Sequence, residues 1–131
     1  MVDNIQQQID STDYWDAKVL DFNCSFFGDE VYLYVENDEN TSWKFSFLVC
    51  HSVNYETDAS WNNWRTTLKY VKDMKGPQLG YYCQDISVSE NKEFEGFYDI
   101  SFNISIMTGK IICKEIKIEK ISNDKLSFFW K

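Results

Sequence analysis

The chain has 131 residues, and its 21 Asp and Glu against 13 Lys and Arg leave a formal charge of -8. Binding DNA, RNA or an anionic membrane needs clustered cations, whereas here Lys and Arg stand singly among carboxylates, so those partners are not expected. A composition that is 44% hydrophobic and 18% aromatic, with five Gly and one Pro, excludes disordered and low-complexity classes. The length suits one domain over 1–131, able to bury a core without metal or disulfide, and no apolar run approaches the ~20 residues of a spanning helix.

Residues 1–16 carry Asp3, Asp10, Asp13 and Asp16 with little periodicity and read as a lead-in with one helical turn, anchored by Tyr14 and Trp15. The segment has neither the cationic start nor the apolar stretch of a secretory signal, which suggests a cytoplasmic location. From Ala17 the period becomes two: Leu20, Phe22, Cys24 and Phe26 alternate with Asp21, Asn23 and Ser25, predicting a strand over 17–26. Phe27-Gly28-Asp29 supplies a turn into a second strand, 31–36, in which Val31, Leu33 and Val35 alternate with Tyr32 and Tyr34. The polar cluster Glu36 to Asn40 ends that hairpin, and Trp43, Phe45, Phe47 and Val49 mark a third strand, 42–51. Trp61, Trp64, Leu68 and Val71 recur at spacings of three and four, with Asp58 or Ser60 as an N-cap and Gly76-Pro77 beyond, predicting a helix over about 59–75. The competing reading is a strand, because Trp64, Thr66, Leu68 and Tyr70 also alternate.

After Pro77 the alternation predicts strands at 81–89, 97–107, 110–121 and 125–130, with turns at Thr108-Gly109 and at Ser122-Asn123-Asp124. Ile100, Phe102, Ile104, Leu20 and Phe22 are the expected core. Seven strands with short turns make a mainly β fold: an antiparallel sandwich or a flattened barrel carrying one helix.

Catalytic signatures are missing. There is one histidine, His51, and the glycine-rich phosphate loop, the nucleophile elbow and the zinc-protease motif are all lacking, so no enzyme activity is expected. A pair drawn from Glu90, Glu93 and Glu95 could do acid and base work only if buried, and these sit at a polar hairpin tip. Cys24, Cys50, Cys83 and Cys113 each fall in an apolar run without a Cys-x-x-Cys pair, and read as reduced core residues. His51 directly follows Cys50, so on a strand the two face opposite sides and do not share a metal; no cofactor is expected. What remains is binding. Trp61 and Trp64, with Trp43 and Tyr81-Tyr82, offer an aromatic platform, although the Trp pair equally suits the inward stripe of a helix. The acidic turns at Asp29-Glu30, Asp38-Glu39 and Glu56 to Asp58 could rim such a patch and steer a basic protein. Asp29, Glu30, Asp38, Glu39, Trp61, Trp64 and Tyr81 are therefore the candidate partner-binding residues.

In size, charge and first strands the chain resembles small acidic bacterial immunity proteins, which neutralise polymorphic or contact-dependent toxins. The resemblance rests on Tyr14-Trp15-Asp16, the Lys18 to Phe22 strand and the Gly28-Asp29 hairpin, about a third of the chain. It implies inhibition by stoichiometric binding, with carboxylates and aromatic groups covering the cationic cleft of a basic toxin domain. The alternative is an intracellular β-barrel holding a small apolar ligand. Length and strand content suit the fatty-acid-binding proteins, but those have a helix pair after the first strand, where this chain runs directly into its second. A carbohydrate-binding module is a third reading, and it suits a secreted context better.

Overall fold

In a computed structural model, which describes residues 2–60 and 70–131, the period-two runs form six antiparallel strands in one sheet. They are β1 (Val19–Ser25), β2 (Glu30–Glu36), β3 (Thr41–Thr57), β4 (Asp85–Glu90), β5 (Tyr98–Ile104) and β6 (Met107–Ser122), in the order β1-β2-β3-β6-β5-β4. Helix α1 (Val2–Asp10) precedes them, longer than the single turn expected of the lead-in.

β3 and β6 are 17 and 16 residues long, roughly twice their neighbours, and their two halves pair with different strands. Residues 42–48 of β3 lie beside β2, while the far half of β6, 107–113, lies beside β5. Between the halves the register slips at Cys50/Ser52, and Val49 sits in the left-handed region at φ 55°. Such a bulge adds bend and twist to the strand that carries it. The sheet therefore curls over itself: Phe22 of β1 packs against Phe102 of β5, centroids 5.5 Å apart, though three strands separate them in the sheet. The curl stops short of a barrel. Lys18 and Tyr82 make one antiparallel bridge, backed by Val19 N–H to Tyr81 C=O at 2.9 Å and Cys83 N–H to Ala17 C=O at 2.8 Å. One open, curled sheet thus does what two sheets or a closed barrel were expected to do.

The concave side holds the core. Val31, Leu33, Val35, Phe45 and Phe47 from one half meet Ile86, Ile100, Ile104 and Ile111 from the other, all buried. The free edge of β4 is closed by α1 and its following turn. The Gln6 amide accepts from Val88 N–H (2.8 Å) and donates to Ile86 C=O (2.9 Å), as a neighbouring strand would, and the Tyr14 hydroxyl accepts from Ile86 N–H (2.9 Å). An edge supplied in this way cannot pair with another chain.

Four sequence expectations are corrected. A bulge between Val19 and Asp21 shifts β1, so Val19 and Phe22 oppose Val35 and Leu33; Phe22 is partly buried, Cys24 exposed and Phe26 70% exposed. The β5–β6 turn is Ser105-Ile106 rather than Thr108-Gly109. Gly109 lies inside β6, opposite Phe102, whose ring fills the space its missing side chain leaves. The seventh strand, 125–130, does not form. After a 3₁₀ turn at Asn123–Lys125 the chain crosses to β1 and β2, where the Trp130 indole N–H donates to Leu20 C=O (2.7 Å) and Phe128 meets Tyr34. The third strand runs on to Thr57. The helix expected over 59–75 falls mostly on 61–69, outside the described residues; Ala59 and Ser60 form a turn and Val71–Asp73 one 3₁₀ turn.

Candidate partner-binding surface

The candidate residues do not converge. Asp29 and Glu30 stand at one end of β2 and Asp38 and Glu39 beyond the other, roughly 20 Å away for a strand of seven residues. Trp61 and Trp64 lie outside the described residues. Tyr81 is half-buried against the core; its hydroxyl pairs with Thr57 Oγ1 at 2.8 Å and its carbonyl holds Val19, so it fastens the curl of the sheet.

Of the two acidic turns, the one at Asp38 is occupied with its own geometry. Asp38 Oδ1 accepts from Asn40 N–H (2.8 Å), Thr41 N–H (2.7 Å) and Thr41 Oγ1 (2.8 Å), and the Asn40 bond leads in holding the carboxyl below the usual range. Its oxygens organise a turn, leaving Glu39 exposed and available beside it. Glu30 accepts from the Tyr32 hydroxyl, and Lys44 Nζ lies 4.7 Å above the Tyr32 ring, so the outer face of β2 and β3 carries charges of both signs.

Glu90, Glu93 and Glu95 are all exposed around the β4–β5 turn, which Asn91 caps by accepting from Glu93 N–H (2.8 Å) and Phe94 N–H (2.6 Å). None has the burial an acid catalyst needs. The cysteines divide. Burial pushes the thiols of Cys83 and Cys113 up to about 12 and that of half-buried Cys50 up to about 11, so all three are protonated hydrophobes at neutral pH. Cys24 is exposed, which corrects the expectation that it fills the core. Among the described residues no cluster of three His, Cys, Asp or Glu could hold a metal ion.

Sequence reasoning placed the β1–β2 turn at Phe27-Gly28-Asp29 but missed the exposed aromatic pair, Phe26 and Phe27, that forms it. Phe26 and Phe27 both take the left-handed conformation, at φ 55° and 60°, which non-glycine residues adopt at a cost of about 1–2 kcal/mol each. Their side chains recover little of that: Phe26 is 70% exposed and Phe27 113%, beyond its reference extended state. Against a total folding free energy of about 5–15 kcal/mol, this is a large unreturned outlay. Beside the pair runs an open groove of about 580 Å³, walled by the turn and by β3 where it bulges, with Cys50, His51 and Tyr55 along it. His51 is exposed and packs against Phe94 with the rings tilted at 46°, centroids 4.2 Å apart, continuing the aromatic surface toward the β4–β5 turn. Asp29 and Glu30 border the same groove, near enough to add to the raised pKa of Cys50, which burial dominates. The available signal was two large aromatics before Gly28, where a tight turn ordinarily carries Asn or Gly.

A search of curated proteins finds no match to this chain. A family does match, described as Immunity protein PIM7, over residues 1–120, which takes in α1, the turn at Phe26 and Phe27 and nearly the whole sheet. With that extent of agreement, the chain belongs to the Immunity protein PIM7 family.

Proposed function

We propose that the chain protects its host by binding a basic toxin domain one to one and covering its working surface, without catalysing a reaction of its own. The observation that carries this reading is the family match over residues 1–120, and the formal charge of -8 supports a cationic partner. Carboxylates spread along exposed turns raise the rate at which an oppositely charged protein arrives, and the aromatic surface then supplies contact area. The place of action is the cytoplasm, and the whole chain acts as one unit. The barrel-carrier reading has less support. The apolar cleft between the curled edges, lined by Val19, Leu20, Tyr81 and Met107 among others, holds about 200 Å³, below the roughly 300–1,000 Å³ of small-molecule sites.

The experiment is co-expression with the toxin encoded in the adjacent gene, followed by kinetics on the purified pair. Growth should be rescued and a 1:1 complex isolated. Association should slow at least tenfold between low and high salt, since steering is screened beyond about 8 Å at physiological ionic strength. Glu39→Lys should slow association further without changing the fold. Failure of both rescue and complex formation ends the reading.

A further inference from the structure

We infer that the toxin is held at the groove between the Phe26–Phe27 turn and the bulge of β3, and that the groove takes an apolar protrusion flanked by lysine or arginine. The inference deepens the toxin-binding reading and rests on it. Three observations meet at this place. Two consecutive phenylalanines stand in strained left-handed conformations with their rings in solvent, where they do nothing for the core. Strain that folding does not require collects at sites of function. The groove beside them is open, with Phe26, Phe27, Val53 and Tyr55 giving it an apolar side and His51 and Ser52 a polar one; Tyr55 is 49% exposed along it and Val49 45% exposed on the neighbouring bulge. Its charge is of one sign: Asp29 lines it and Glu30 adjoins it, while among the described residues no lysine or arginine lines it. An apolar side with a carboxylate rim is the complement of an apolar protrusion with a cationic rim, and excludes an acidic partner by repulsion. Exposed aromatic rings, Phe and Tyr among them, are enriched in the buried core of protein interfaces.

The test uses Phe27→Gly and Asp29→Lys in the full chain, with Trp15→Ala as an exposed aromatic away from the groove, against the purified toxin domain encoded next to the gene. Glycine accepts the left-handed conformation, so Phe27→Gly should keep or raise the melting temperature while weakening toxin binding at least about 30-fold, the level of an interface hot spot. Asp29→Lys should mainly slow association, and Trp15→Ala should bind as the unaltered protein does. If the unaltered protein binds and Phe27→Gly binds within threefold of it, the groove is not the docking face, although toxin neutralisation stands. If the unaltered protein itself neither binds nor rescues growth, the functional reading falls and takes this one with it. If sedimentation finds a dimer that Phe27→Gly dissolves while toxin binding is untouched, the groove belongs to a second copy and the inference is overturned.

Discussion

Replacing Gly109 with alanine probes the curl of the sheet at its tightest point. An added Cβ would lie 2.3 Å from Phe102 Cζ, 2.7 Å from Phe102 Cε1 and 2.8 Å from the carbonyl oxygen of Asn54. Real Cβ contacts do not come so close, so something must move. Phe102 is 5% exposed and wedged against Phe22 of β1, and the Asn54 carbonyl belongs to the paired backbone of β3. Overpacking of this kind costs about 1–3 kcal/mol, while alanine regains about 0.5–1 kcal/mol of the entropy a glycine loses on folding. The net expectation is a loss of about 1 kcal/mol, a fall in melting temperature of about 3–5 °C for a chain of this length. Urea unfolding should show a lower midpoint at unchanged slope. Phe102→Leu withdraws the ring, so Gly109→Ala should cost less on that background, with a coupling of about 1 kcal/mol in the double-mutant cycle. A Gly109→Ala protein as stable as the parent would refute the packing account, and strict additivity would place the obstacle at the Asn54 carbonyl instead of the ring.

Two further outcomes follow from buried polar groups. The thiols of Cys83 and Cys113 are raised from 9.0 to about 12, Cys50 from 9.0 to about 11 and the Tyr14 hydroxyl from 10.0 to about 12, burial being the leading cause in each. The unfolded chain therefore gives up these protons first, so their contribution is fully present below pH 9 and lost as pH rises toward 12. Urea midpoints measured from pH 8 to 11 should fall with pH, less steeply in a Cys83→Ala, Cys113→Ala variant; a flat profile in the parent contradicts this. Gln6→Leu together with Tyr14→Phe should leave Ile86 and Val88 without partners on the edge of β4, at about 1–3 kcal/mol for each buried group left unpaired. The variant should also self-associate through that edge in light scattering, and a stable monomer would show that the helix does not protect the strand.

Much of the fold was legible in the chain because alternation is local. Tyr98 to Ile104 reads as a strand from its own residues, and Ile100 and Ile104 are fully buried as the pattern requires. The turns at Gly28-Asp29 and at Asp38 were legible for the same reason, since short polar side chains and glycine act on their immediate neighbours. The tertiary structure alone decided how the strands share one sheet, because β3 and β6 serve both halves and a bulge near His51 bends them. It also decided that Gly109 is a seat for Phe102 and that the turn falls at Ser105-Ile106, since a glycine in isolation signals a turn and only a cross-strand ring makes it a packing site. The candidate site divides in the same way. Asp29 and Glu30 were visible as an acidic turn, but Phe26 read as the last inward residue of a strand, because alternation cannot register a bulge that shifts the face or a left-handed backbone held by the rest of the fold.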